Sequence, residues 1–390
     1  MPNIDIRTIT APTHPHAQRS NSTAHNYAHN PLIVYWEMTQ ACGLACRHCR
    51  AEACSTAAPN QLNTHDSKLL LEQIARFDNP LPHLILTGGD PLERSDLFEL
   101  IDHARSLGIA TSITPAATPK LTFETMSRLK DHGIESFGLS LDGSTAARHE
   151  GIRSVEGCYQ TTLEALRNAA KLNIPVQVNT LVSAETIDDM PAVYQLLKRE
   201  KVMRWSLFFL IEVGRGRVLQ PVTPERGEEF MRWVFDLAQI APFAIKTTEA
   251  PSFRRIALDR MREQGRTSAE IERTSVYRGF GIRDGHGIVF VGQQGDVCPA
   301  GFLPLAAGNI RSAELSTIYR SAPLFQSLHA SSEFRGKCGR CSYNAICGGS
   351  RARAFGATGD PLASDPFCSY EPPPRPALAP GIAAQATAAR

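Results

Sequence analysis

The sequence predicts an α/β fold, with six strand–helix units curling a parallel sheet toward a barrel and a cysteine-rich domain after it. Two observations predict it. Short apolar runs alternate with stretches of helical periodicity between residues 32 and 211. Cysteines then gather near the far end, at Cys338, Cys341, Cys347 and Cys368. Such alternation places parallel strands inside and helices outside, and right-handed crossovers curl successive units the same way.

In order, the strands are expected at residues 32–38, 84–87, 109–113, 136–141, 175–182 and 205–211. The helical stretches between them fall at 67–77, 96–107, 122–132, 160–172 and 189–201. Together they make a partial (β/α)6 TIM-like barrel over residues 31–222, whose ligands gather at the carboxyl ends of the strands. Residues 224–240 and 253–264 read as helices and 285–297 as a glycine-rich hairpin, so 223–297 forms a bridge beside the open barrel. Residues 298–371 are expected to form a C-terminal cysteine-rich domain. Both ends read as disordered tails. Residues 1–30 hold His14, His16, His25 and His29 at a spacing that matches no helix face, and 372–390 are rich in proline and alanine.

Composition narrows the function. The 390 residues are 42% hydrophobic and 21% charged, with 41 basic and 39 acidic side chains, so no electrostatic footprint for nucleic acid or anionic lipid exists. No apolar stretch approaches the roughly eighteen residues of a membrane span. Without the basic start and apolar centre of a secretory signal, the ten cysteines point to metal binding in a reducing, cytoplasmic interior rather than to disulfides.

After the first strand stand Cys42, Cys46 and Cys49 in the segment Thr39-Gln-Ala-Cys-Gly-Leu-Ala-Cys-Arg-His-Cys-Arg50. Three thiolates on one loop can each hold one iron of a 4Fe-4S cube and leave the fourth iron open. A structural zinc site wants four ligands, and His48 could complete one. After the second strand, Leu86-Thr-Gly-Gly-Asp-Pro-Leu92 puts two glycines where backbone can approach a ligand. These segments resemble the radical SAM superfamily. The resemblance implies that the open iron chelates S-adenosylmethionine, which one electron cleaves to a 5'-deoxyadenosyl radical. It further implies cofactor contacts from Gly88, Gly89, Asp90 and Pro91, where aspartate replaces the usual glutamate, and from Ser140, Asp142 and Asn179 at later strand ends. Arg153 and the turn Gly214-Arg-Gly-Arg217 lie on the same expected rim, where an arginine could bind a carboxylate or simply be solvated.

Cys338, Cys341, Cys347 and Cys368 can close a metal site completely, and their spacing suits zinc as well as a second 4Fe-4S cluster. The segment from 337 to 370 resembles the auxiliary-cluster extension called SPASM, or its shortened twitch form, nearest the branch of heme d1 synthesis and the alternative heme pathway. Position 313 is alanine where the full pattern after Gly308 would have cysteine, so one auxiliary 4Fe-4S cluster is expected. Cys298 is a relic or an extra ligand, and Cys54 and Cys158 are structural. Phe208, Phe209, Phe280, Phe290 and Phe302 could line a flat apolar pocket or belong to the core.

The resemblance implies an enzyme that abstracts hydrogen and oxidises its substrate, such as a decarboxylation on a tetrapyrrole side chain, with an electron donor such as flavodoxin or ferredoxin. Two alternatives stand beside it: a maturase of a ribosomal peptide, and a non-catalytic zinc or iron-sulfur scaffold.

Overall fold

The computed structural model of the chain describes residues 25–373, so most of both expected tails, including His14 and His16, lies outside the described residues. Residues 25–30, expected as tail, instead pack on the body. The Tyr27 hydroxyl donates to the Arg278 carbonyl at 3.3 Å, and the Tyr319 hydroxyl donates to the Tyr27 carbonyl.

Six expected strands are present: β1 (Ile33–Glu37), β2 (His83–Thr87), β3 (Thr111–Ile113), β4 (Ser136–Ser140), β5 (Val176–Val182) and β6 (Arg204–Phe209). Helices α1 (Thr64–Ala75), α2 (Leu97–Ser106), α3 (Phe123–Asp131), α4 (Ala146–Arg153), α5 (Cys158–Lys171) and α6 (Met190–Arg199) connect them. Side-chain caps fix several starts. Asn63, Thr122 and Thr145 accept from backbone N–H groups in the first turns of α1, α3 and α4.

The segment 223–297 is no separate bridge. It supplies α7 (Pro224–Ala238), β7 (Ala244–Thr248), α8 (Phe253–Glu263) and β8 (Ile288–Val291). β7 extends the sheet beyond β6, and β8 pairs in parallel with β1 at the opposite edge. β9 (Asp296–Cys298) and β10 (Gly308–Asn309) follow as antiparallel strands. The expected boundary between 297 and 298 therefore falls inside β9. The sheet runs β10-β9-β8-β1-β2-β3-β4-β5-β6-β7, eight of these strands parallel, in an unclosed TIM-like barrel.

Pleating separates the two faces. Val34, Trp36, Leu84, Phe137, Val178 and Trp205 point outward and are fully buried against the helices. A fully buried apolar side chain of this size contributes about 1.5–3 kcal/mol. Trp205 also satisfies its indole, donating to the Thr180 hydroxyl at 2.8 Å. Alternate residues face the lumen and stay half-buried, among them Tyr35, His83, Asn179 and Arg204. Among the described residues no helix is long and apolar enough to cross a membrane.

Candidate metal centres

The three-cysteine loop leaves the carboxyl end of β1 and is held by backbone from two sides. The Gly89 N–H donates to the Thr39 carbonyl and the Asp90 N–H to the Ala41 carbonyl, both at 2.7 Å. A Cβ on Gly89 would fall 2.2 Å from the Ala41 oxygen, so no other residue admits this approach. From the opposite side the Arg215 N–H donates to the Cys49 carbonyl at 3.1 Å. The Arg215 side chain donates to the carbonyls of Cys46 at 3.0 Å and Ala53 at 2.9 Å.

Each sulfur of the triplet receives a donor. The Leu44 N–H reaches Cys42 Sγ at 3.3 Å, the Ala53 N–H reaches Cys49 Sγ at 3.5 Å, and Arg153 Nη1 reaches Cys46 Sγ at 3.6 Å. Donors on sulfur favour the thiolate that iron requires. Burial, with smaller contributions from Asp90 and the two neighbouring thiols, pushes Cys42 up to about 11 against the Leu44 donor, so a bound metal must supply the rest. The loop could therefore hold three irons. His48 lies in the same loop, where burial and Arg153 push its imidazole down to about 4 and keep the ring neutral, and among the described residues no three His, Cys, Asp or Glu side chains are placed to hold a single metal ion.

The polar residues expected to touch the cofactor divide into two groups. Ser140 and Asn179 are register partners on β4 and β5 and face the lumen. Asn179 Oδ1 accepts from Gln177 at 2.8 Å, leaving its amide N–H groups free to donate. The carboxylates of Asp90 and Asp142 are instead buried and hydrogen-bonded within the fold. Asp90 accepts from the Leu92 N–H at 3.1 Å, the Ala116 N–H at 3.3 Å and the Thr118 hydroxyl at 3.2 Å. That cap starts the 3-10 turn at Pro91, leaving backbone as this segment's route to a ligand. Asp142 accepts from the Leu181 N–H and from Arg153 Nε, both at 2.7 Å. Burial, the largest single influence, would raise the Asp142 carboxyl, but Arg153, His48, His149 and the Leu181 N–H together outweigh it and hold the group below the usual carboxylate range.

Two of the rim arginines are engaged by the fold. Arg153 bridges Asp142 to Cys46, Arg215 clamps the cysteine loop, and Arg217 Nε donates to the Glu212 carbonyl at 3.4 Å. Arg153 and Arg215 are committed to the cysteine loop, whereas Arg217 is exposed and holds only that one bond.

At the far end, Cys338, Cys341, Cys347 and Cys368 line one pocket together with Arg255, Lys337 and Tyr370. Here too sulfur meets peptide N–H. Asp365 donates to Cys338, Tyr343 to Cys341 and Gly349 to Cys347, each at 3.4 Å. The fully buried Arg351 adds a contact to Cys338 Sγ at 3.6 Å. Burial pushes Cys347 up to about 12. Four convergent thiols with aligned donors could hold a complete metal group. Cys298 is absent from this pocket; it sits in β9 and feels Arg50 and Glu37 instead.

Sequence reasoning missed two features near these centres. Arg50 pairs with the buried Glu37 at 2.6 Å and stacks over Phe290 at 4.6 Å, beside the cysteine loop. Glu249, left-handed at φ 59 after β7, accepts from the Ser350 hydroxyl at 2.7 Å. Period-two alternation in β1, with Tyr35 and Glu37 on one face, was the available signal for the first. Of the expected aromatic lining, Phe209 packs outward on Phe367 and Phe230, at 5.4 and 6.0 Å, and so belongs to the core.

The sequence pattern of the radical SAM superfamily matches residues 36–197, from β1 into α6. Over 349 residues the chain is 33% identical to a protein named AdoMet-dependent heme synthase from Oleidesulfovibrio alaskensis, covering 88% of this chain and 89% of that one. The chain belongs to the radical SAM superfamily. A pre-heme d1 synthase from Dinoroseobacter shibae is 28% identical, with 86% of this chain and 85% of that one covered. Among solved structures, SuiB of Streptococcus suis bound to S-adenosylmethionine aligns with a TM-score of 0.67 at 18% identity, over 88% of this chain and 78% of that one. That likeness shows a shared fold. As a radical SAM enzyme the protein uses a 4Fe-4S cluster and S-adenosylmethionine, so the non-catalytic scaffold alternative falls.

Proposed function

We propose that the protein oxidatively modifies a tetrapyrrole, removing carboxylate carbon from a propionate side chain. The names of the relatives that align along nearly the whole chain support this substrate class. Cys42, Cys46 and Cys49 would hold the cluster that binds S-adenosylmethionine, and Cys338, Cys341, Cys347 and Cys368 an auxiliary 4Fe-4S cluster. When bound, the cofactors supply a 5'-deoxyadenosyl radical for hydrogen abstraction and a second centre able to accept an electron.

The chain's own part is positioning. Backbone at Gly88, Gly89, Asp90 and Pro91 would meet the methionine moiety, while Ser140 and Asn179 would meet the ribose or carboxylate of the nucleoside cofactor. Asp142 would act through Arg153, by fixing the guanidinium against Cys46. The observation that carries the two-centre reading is the convergence of four thiols with peptide donors on sulfur, because oxidation of a carboxylate-bearing carbon leaves an electron to be taken up.

Oxygen-free reconstitution tests this directly. We expect about eight irons and matching sulfide per chain, reductive formation of 5'-deoxyadenosine, and release of carbon dioxide from a propionate-bearing tetrapyrrole. Turnover of a peptide with none of any tetrapyrrole would overturn the substrate reading. Bound zinc in the second pocket would overturn the auxiliary cluster.

A further inference from the structure

The barrel lumen holds two cations that nothing described so far uses. Arg204 opens β6 and Lys246 lies on β7 opposite Ser206, so pleating puts both on the inner face. The outward neighbour Ile245 packs on the core, which fixes that orientation. Across the lumen, the Arg204 charge reaches Tyr35 on β1 and His83 on β2 as well as Lys246. Register supports this: Ser206, two residues on from Arg204, lies opposite Lys246, and Ile33, two residues before Tyr35, lies opposite His83, so the period of two puts the four side chains on the inner face.

Arg204 makes a single contact among the described residues, a 3.4 Å hydrogen bond to Gln177 Oε1, and Lys246 makes none. The only charge acting appreciably on Lys246 is the like charge of Arg204. Glu37 pairs with Arg50 and Glu249 accepts from Ser350, while the Glu249 charge also reaches Tyr35 and the Glu135 charge reaches His83. The unspent polar groups along this wall are donors: the Lys246 ammonium, the remaining Arg204 N–H groups, the Tyr35 hydroxyl and the Asn179 amide. Two unpaired cations in a partly desolvated cavity are costly unless an anion joins them.

We propose that Arg204 and Lys246, assisted by Tyr35 and Asn179, form an anion-binding basin that seats a carboxylate of the substrate inside the lumen, beneath the S-adenosylmethionine site. The inference rests on the tetrapyrrole reading for the carboxylate's owner. It offers a propionate an anchor inside the lumen, whereas Arg153 and Arg215 on the rim are engaged by the fold. A carboxylate of S-adenosylmethionine is the other source of the same chemistry, and the experiment separates the two.

The full chain, reconstituted without oxygen, is titrated with iron coproporphyrin III, a tetracarboxylate, and with its tetra-amide, following the Soret band. Binding of S-adenosylmethionine is measured in parallel. Each lost charge-assisted hydrogen bond should weaken the acid by about ten- to hundredfold. Lys246→Met and Arg204→Met should show that loss, with the tetra-amide bound as in the wild type, and Lys246→Arg should recover most of it. Iron content and far-UV circular dichroism report the fold, and Lys246→Gln serves if Lys246→Met is unstable. Unchanged affinity of both charge-removing variants for the acid overturns the basin and leaves the tetrapyrrole reading standing. Weakened S-adenosylmethionine binding with unchanged porphyrin binding also overturns it. A wild-type protein that binds neither porphyrin overturns the tetrapyrrole reading and the inference with it.

Discussion

Replacing Asp142 by asparagine keeps the shape of the side chain and removes its charge from beneath the cysteine loop. The Arg153–Asp142 pair is almost wholly buried, with side-chain exposures of 12% and 1% and a separation of 2.7 Å. Removing one partner of such a pair costs about 3–5 kcal/mol, because the other is left charged and dry. Unfolding entropy of about 2.1 cal/mol/K per residue, over the described span 25–373, converts this to a fall in Tm of about 4–7 °C. The apoprotein is the proper sample, since bound clusters spoil a two-state reading. Acid should expose the same pair. The Asp142 carboxyl is held below its usual range, so its stabilisation is fully present above about pH 4 and is lost as pH falls through the lowered value. The Asp142→Asn protein should therefore lose part of the acid limb of its stability curve. Because Arg153 also touches Cys46, reconstituted Asp142→Asn should retain less iron and form less 5'-deoxyadenosine. A variant that melts with the wild type and loads its full iron would refute the positioning role given to Asp142.

Other outcomes follow from the same geometry. Cys341→Ala should lower iron from about eight to about four per chain, with cleavage of S-adenosylmethionine retained and tetrapyrrole product lost; undiminished product would show that the second centre is dispensable. Gly89→Ala forces a Cβ to within 2.2 Å of the Ala41 carbonyl oxygen, and backbone cannot yield cheaply, so the cysteine loop should shift and cleavage should fall more than tenfold. Porphyrin affinity should fall as pH rises through about 8. Burial first and Arg204 second push Lys246 down to about 8, while burial and Asp284 push Glu249 up to about 8, so the wall loses a positive charge and gains a negative one together. Tyr35, pushed up to about 12, and His83, pushed down by burial against the opposing Glu135 charge, stay neutral there. Titrating the acid and the tetra-amide between about pH 6.5 and 9.5 checks this, and parallel curves for the two ligands would contradict it.

What the sequence revealed, and what it withheld, follows from range. Cys42, Cys46 and Cys49 are local, and a loop of that spacing has few ways to arrange three sulfurs, so their grouping was legible. The strand–helix alternation was equally local and placed β1 to β6 within two residues at most ends. β7 escaped because Ala244-Ile-Lys-Thr-Thr248 is short and half polar, and its strand character comes from pairing with β6 rather than from its own pattern. β8 was expected in a hairpin, and it does pair with β9, but its parallel partner β1 lies some 250 residues earlier and left no local trace. Asp142 shows a different limit. Its place at a strand end was readable, whereas its partner depended on the unexpected helix α4, which carries Arg153 back over the strand. A polar residue at a strand end faces either a ligand or the fold, and only the return path of the chain decides between them.

The same logic separates the arginines. Of those on the rim, Arg153 and Arg215 are consumed in holding the cysteine loop in place, while Arg217 stays exposed. The loop, leaving β1 without secondary structure of its own, needs such clamps to keep three thiols together. Arg204 and Lys246 sit in strands, where the period of two had already assigned outward neighbours to the core, and neither makes an ion pair among the described residues. Charge spent at the mouth builds the centre, and charge left unspent below it is what an anionic substrate can meet.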